Sequence, residues 1–322
     1  MFGRAANFLE RLVVLVPLAL APSLGQAKTE QKKLPEPSLE SSLETAIKEM
    51  AGIAVVDDKI ALLPEGKALF LSLNLDRNGK TREARFGPIE AQVRRPVVAG
   101  PMAADLVGAD LVGPRWLILD GTEVSVREVA SSDYSEVTKR TVAWDLIKPP
   151  ADRGGEPTRA ETSALRTRFG KSWRSTPGRK IVGWARRTGT GKKDVGSSYL
   201  LATTIPSYPV LEMRCGGGDE PSSCLITRQC FVEGVGELKP SSVAGIAYSM
   251  NKKLVYLGDA EQRKVHVFRF DSCFHIVKVR ELTLPDKLKK LSNLYVDEGD
   301  RLWVTTTSPD DYLNASVYYW QL

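Results

Sequence analysis

The chain has 322 residues, 42% of them hydrophobic, and a formal net charge of +6. Beyond the N-terminus no stretch of 18 uninterrupted apolar residues occurs, which excludes a spanning helix in the mature chain. The charge is local: from Asp152 to Asp194, twelve Lys or Arg stand against four acids, a local +8 that leaves the remainder near −2.

Residues 1–27 combine a basic start at Arg4 and Arg11, an apolar run LVVLVPLALAP from Leu12 to Pro22, and small residues ending at Gly25, Gln26 and Ala27. That is the pattern of a signal peptide. The run is about half the roughly 20 residues a span needs; Glu10, atypical in a signal's first region, keeps a retained anchor as the alternative. A periplasmic or secreted location is expected. Next, KTEQKKLPEP reads as a solvated linker, and SLESSLETAIKEM places Leu39, Leu43, Ile47 and Met50 at helical spacing. Residues 28–50 are therefore expected to be a linker and a short helix packed on the domain of 51–322.

That domain repeats itself. GIAYSMNKKLVYLGD from Gly245 is echoed by NLYVDEGDRLWVTT, with Ile246, Tyr248, Leu254 and Val255 matching Leu294, Val296, Leu302 and Trp303 at an offset of 48. Each copy is an apolar strand, a tight polar turn and a second apolar strand. A third copy, GIAVVDDKIALLPEGKALFLSLNLD, starts at Gly52, 193 residues before Gly245 and close to four such periods. Two copies continue into a further extended run, TREARF and VKVREL. Four antiparallel strands every 48 or so residues are one blade of a β-propeller, whose repeats span about 40–50 residues. In the middle, RWLILDGTEVSVREV with TKRTVAWDL reads as the later strands of one blade, and KIVGWARR, SSYLLATT, YPVLEMRC and CLITRQC as another. The second strands fall near residues 61, 117, 200, 255 and 303. The fold class is thus all-β: a β-propeller with five legible blades, five or six in total.

The polar stretch of about 148–180 is an insertion or a degenerate blade. Thr158, Arg159, Ala160 and Glu161 fit a capping box and Gly170 a helix stop, so it is expected to be partly helical. The chain ends in SVYYWQL, a strand whose edge needs a partner; closure of the ring by strands from both termini in one blade is expected.

The pattern GIAY, LVYLGD, VHVFRFD, VKVREL resembles the blades of NHL-, TolB- and phytase-esterase-like propellers over roughly residues 52–322. In the phytase-like group an acidic pair before the blade's Gly implies bound calcium. Here those places are Val243-Ala244 and Met50-Ala51, a departure that argues against calcium-dependent hydrolysis.

Cys215, Cys224, Cys230 and Cys273 allow three pairings in an oxidising compartment. If Cys224 and Cys230 share one strand they lie roughly 20 Å apart, too far to bond. Cys215–Cys224 and Cys230–Cys273 are expected, with reduced thiols as the alternative. The spacings do not fit a zinc finger.

GTGKK from Gly189 is a basic hairpin turn rather than a phosphate loop, since Arg186 stands where the first glycine belongs and Lys193 replaces the magnesium-binding hydroxyl. DRNGKT from Asp76 is an Asn-Gly turn without the downstream Glu of a calcium loop. His266 alternates with Phe268 and Phe270, as a packed histidine would, and His275 sits in a turn. No GxSxG elbow occurs. The turn acids Asp57, Asp58, Asp297, Asp300, Asp310 and Asp311 read as solvated. Because equivalent turns share one rim, Asp57, Asp297 and Asp300 converging on a divalent cation such as Ca²⁺ is the alternative.

The candidate binding residues are Arg159, Arg166, Arg168, Lys171, Arg174, Arg179, Lys180, Arg186, Arg187, Lys192 and Lys193, interleaved with Phe169, Trp173 and Trp184. Guanidinium groups match phosphate and carboxylate planes, and Trp stacks or sits at an interface. A solvated insertion is the bland alternative. The expected function is a binding or scaffolding module for a protein or an anionic envelope component, with peripheral membrane contact and neither nucleic acid nor a cofactor. The rival is a propeller hydrolase or lactonase with a cation at the channel.

Overall fold

The computed structural model describes residues 30–37, 39–44, 50–56, 59–64, 69–75, 81–88, 96–102, 115–120, 125–130, 136–144, 181–187, 197–204, 210–215, 223–230, 232–233, 238–273, 275–286, 288, 290–307 and 314–322. Two short strands, β1 (Glu30–Lys33) and β2 (Leu39–Glu44), precede the repeats. The first blade is β3 (Met50–Val56), β4 (Lys59–Pro64), β5 (Leu69–Leu75) and β6 (Thr81–Pro88). The second is β7 (Pro96–Met102), β8 (Arg115–Asp120), β9 (Ser125–Ala130) and β10 (Glu136–Trp144). The third is β11 (Ile181–Arg187), β12 (Ser197–Thr203), β13 (Val210–Cys215) and β14 (Ser223–Cys230), followed by β15 (Val232–Glu233). The fourth is β16 (Val243–Ser249), β17 (Leu254–Asp259), β18 (Lys264–Ser272) and β19 (His275–Thr283). The fifth is β20 (Lys290–Val296), β21 (Arg301–Thr307) and β22 (Asn314–Gln321).

The chain is a β-propeller: among the described residues five four-stranded antiparallel units recur, and the first strand of each packs on that of the next, β3 on β7, β7 on β11, β11 on β16, β16 on β20 and β20 on β3. The expected second strands are β4, β8, β12, β17 and β21. Each first strand carries an irregularity, near its start between Met50 and Gly52, Ile181 and Gly183, Val243 and Ile246, and Leu291 and Asn293, and further along β7 between Ala99 and Pro101. At two of them the backbone is crowded. A Cβ on Gly183 would stand 2.7 Å from the Gly245 Cα, and one on Gly245 would stand 2.8 Å from the Asn293 Oδ1. Gly245 also has φ +136°, which L side chains rarely adopt.

The period-2 pattern places alternate side chains in different inter-blade cores. On β18, Val265 and Val267 join a core with Leu294, Leu302 and Trp320 of the fifth blade. Phe268 and Phe270 face the third blade and join Leu200, Val210 and Ile246. Trp184, Tyr199, Leu211 and Met213 pack against Leu119 and Val126 between the third and second blades. Ile53, Val55, Ile60 and Leu62 of the first blade bury Trp303 and Val317 of the fifth.

The helix expected from Leu39 onward is overturned at its start: Leu39–Glu44 is a strand, antiparallel to β22, with Leu39 opposite Tyr319 and Leu43 opposite Ala315. Leucines four apart suit a strand face as well as a helix face, and the open edge of β22 decides between them. The last blade is accordingly built from both ends of the chain, as expected. The stretch read as a solvated linker is also a strand in part: β1 runs parallel to β19, its four side chains exposed. Leu34 is buried just after it, and the Pro35 carbonyl accepts the Trp320 Nε1–H at 2.9 Å. Finally, β10 pairs parallel with β14, so the second and third blades share one eight-stranded sheet.

Both expected disulfides are present, Cys215–Cys224 within the β13–β14 hairpin and Cys230–Cys273 between the third and fourth blades. Just past Cys230, β15 pairs with Ile276 and Val277 of β19, so backbone and sulfur join the same two blades. No helix among the described residues is long and apolar enough to cross a membrane.

Candidate functional site

The first strands of the third, fourth and fifth blades end on one rim, at Arg187, Ser249 and Val296. The turns that follow β16 and β20 touch each other. The Ser249 hydroxyl donates to Asp300 Oδ1 at 2.5 Å, Asn251 Nδ2 donates to the Glu298 carbonyl at 3.1 Å, and Lys252 Nζ stands 3.8 Å from Asp300 Oδ2. These are the two turns that the sequence repeats 48 residues apart.

Of the eleven candidate cations, Arg186 and Arg187 are described, both half-buried at the end of β11; the other nine, with Phe169, Trp173 and the stretch of 148–180, lie outside the described residues. Trp184 is buried and stacks on Tyr199, with ring centroids 4.8 Å apart; it belongs to the core and not to a contact surface. Arg187 donates from Nη2 to Glu212 Oε1 at 2.7 Å, and Glu212 on β13 is fully buried. The same guanidinium lies 4.7 Å from the centroid of Phe270, which Tyr248 meets edge-on at 6.0 Å. Burial raises the Tyr248 pKa, an effect that the Arg187 charge opposes. Arg187 is thus a seam residue between the third and fourth blades: a buried carboxylate requires a close cation to offset its lost hydration. Nothing in the local sequence announced Glu212, because VLEMRC reads as an apolar strand whose two charged positions, Glu212 and Arg214, alternate as solvent-facing residues would.

The segment from Arg159 to Lys193 does not meet the ring at one place. Its first part joins at Ile181, and Lys192 and Lys193 follow Arg187. Those junctions are six residue steps apart along β11, about 20 Å at roughly 3.3 Å per residue.

The turn acids hold turns. Asp297 accepts from the Gly299 N–H at 3.0 Å and the Arg301 N–H at 2.9 Å through Oδ1. Its Oδ2 accepts from Arg301 Nε at 2.6 Å and Trp303 Nε1 at 2.8 Å. Asp300 is engaged by Ser249 and Lys252. Two of the three acids considered for a cation are therefore bound by protein donors, while Asp57 and Asp58, like Asp310 and Asp311, lie outside the described residues. Tyr295, near this turn, has its pKa raised by burial and by Asp297 and Glu298.

The histidines fall as the sequence suggested. His266 is buried, with Nε2 3.7 Å from Asp259 Oδ2 and Nδ1 3.5 Å from Glu281 Oε2. Glu281 also meets Lys264 at 2.6 Å and Lys278 at 2.9 Å. Burial pushes the pKa values of Asp259 and Glu281 up, but hydrogen bonds from His266 to the former and from the two lysines to the latter prevail and lower them. This cluster ties β17, β18 and β19 together away from the rim. His275 is about half exposed and pairs with Asp271 at 2.8 Å.

No protein-family model and no curated protein matches the sequence. Among solved structures, the chain is similar to the WD40 repeats of RRP9, at 10% identity and TM-score 0.41, over 88% of this chain and 98% of that one. It is similar to a luciferin-regenerating enzyme at 10% identity and TM-score 0.39, over 83% and 73%. It is also similar to Sqt1 of Saccharomyces cerevisiae at 9% identity and TM-score 0.35, over 78% and 54%. At such values the likeness carries no argument about this chain, and the propeller rests on its own strand order.

Proposed function

We propose that this protein is an exported propeller that binds an anionic protein or envelope component through the cations flanking β11. The carrying observation is that both ends of β11, an inner strand of a rigid ring, lead directly into the basic stretches. A propeller presents its connecting segments on a fixed scaffold, so such segments are where contacts are made. The two disulfides support an oxidising compartment, in keeping with residues 1–27 read as a signal peptide.

Arg187 is excluded from the test because it holds a blade seam. Arg159, Arg166, Arg168, Lys171 and Arg174 are changed together to Glu, and the immobilised protein is offered an envelope extract with bound proteins and lipids identified by mass spectrometry. The wild type is expected to retain a partner set that elutes at about 1 M salt, where charge interactions are screened within about 3 Å. The variant is expected to retain none of it. Retention of the same set by the variant at low salt overturns the reading.

A further inference from the structure

Met250 at the tip of the β16–β17 turn is 45% exposed, the only large apolar side chain so exposed among the described residues. Asn251, Lys252 and Lys253 beside it are exposed as well. The turn is held from several sides. Ser249 Oγ accepts the Lys252 N–H at 3.0 Å while donating to Asp300, and Asn251 is tied to the Glu298 carbonyl. Lys253 sits at φ +53°, and its carbonyl accepts the Phe270 N–H at 3.1 Å. The ring of that Phe270 lies under the Arg187 guanidinium. An apolar thioether is thus presented on a fixed turn with two exposed lysines, Lys252 and Lys253, beside it, Lys252 standing 3.8 Å from Asp300.

We propose that this turn is a contact knob that takes an acidic protein segment carrying one apolar side chain. The inference rests on the binding reading above and names the partner's chemistry. A turn already ordered loses little conformational freedom on binding, and Met is enriched where proteins meet. The surroundings favour a protein over a lipid sheet. Glu298 and Asp300 adjoin the cations, so a uniformly anionic surface meets repulsion there, whereas a segment with a few placed carboxylates avoids it. Methionine adapts to apolar partners of varied shape, which suits a single anchoring side chain.

The test measures binding of two short labelled peptides by fluorescence anisotropy, both rich in Asp and Glu, one with a central Leu and one with Gly in its place. Vesicles of phosphatidylglycerol serve as a third probe. Burying one leucine side chain predicts about tenfold tighter binding of the Leu peptide by the wild type. Met250→Asp should erase that difference. Lys253→Glu should weaken both peptides severalfold, more at low salt. Both positions are exposed, and far-ultraviolet circular dichroism checks that the variants fold. Equal binding of the two peptides by the wild type overturns the knob, as does unchanged peptide binding in both variants or vesicle binding that the peptides do not compete away. The five-fold Glu variant of the basic stretch separates the two ideas. Loss of envelope partners in that variant, with peptide binding indifferent to Met250 and Lys253, removes the knob and leaves the function standing. Envelope partners retained by the five-fold variant remove the parent reading.

Discussion

Two seams between blades solve one geometric problem in different ways. Blades fan outward from the axis, so the outer strands of neighbours diverge and leave edges to cover. Between the second and third blades the chain uses what it has in place: Thr141 to Trp144 of β10 pair in parallel with Ser223 to Ile226 of β14. Between the fourth and fifth blades the cover comes from the distant N-terminus. There β1 extends the fourth blade on β19, β2 completes the fifth on β22, and Leu34 and Pro35 cross between them into the shared core and onto Trp320. An edge can be sealed by a neighbour's backbone or by a strap, and the strap does more, because it also fills the wedge with a side chain.

That contrast sets an order of effects. Deleting residues 28–44 removes both β1 and β2, opens the β22 edge and empties the Leu34 site. The cooperative thermal transition is expected to be lost, and a sharp transition in the truncated protein would show that the strap is dispensable. Ala143→Pro acts on the other seam alone, since Ala143 pairs with Leu225 of β14 and has no partner on β9. A lost ladder bond and ring clash cost about 3 kcal/mol, or roughly 6–12 °C in melting temperature. A shift near zero would mean that the parallel pairing contributes nothing and that the strap alone closes the outer face. Trp320→Phe keeps most of the buried apolar surface and removes the bond to the Pro35 carbonyl, for about 1 kcal/mol and a shift of roughly 2–4 °C. If this change matches the deletion, the strap is held by that bond and not by strand pairing.

Much of the ring was legible because its signals are local. Second strands flanked by tight turns repeat near residues 61, 255 and 303, and Gly52 and Gly245 mark positions that the bulges occupy, crowded in the case of Gly245. Strand length excluded a Cys224–Cys230 bond, and the short loop between Cys215 and Cys224 favoured the pairing that is found. What escaped the sequence depends on partners far along the chain. LESSLE carries spacing for helix and strand alike, and its state is set by β22, some 275 residues away. β7 contains Pro96, Gly100 and Pro101, residues that disfavour a strand, and is kept extended by β8 and the packing of β3. Arg187 looked like one more surface cation because its carboxylate, Glu212, comes two strands later and from within an apolar run. Long-range partnership of this kind leaves no mark in local composition.

The pairing of Leu39 with Tyr319 also sets a timetable. The strand made second is among the last to find its place, since its neighbour is the final strand of the ring. Contacts this distant in sequence make folding slow, because a long loop must close before any reward arrives. A growing chain therefore holds an unmatched first segment until β22 has emerged. Until that meeting the ring stays open, and its closure waits on the whole chain.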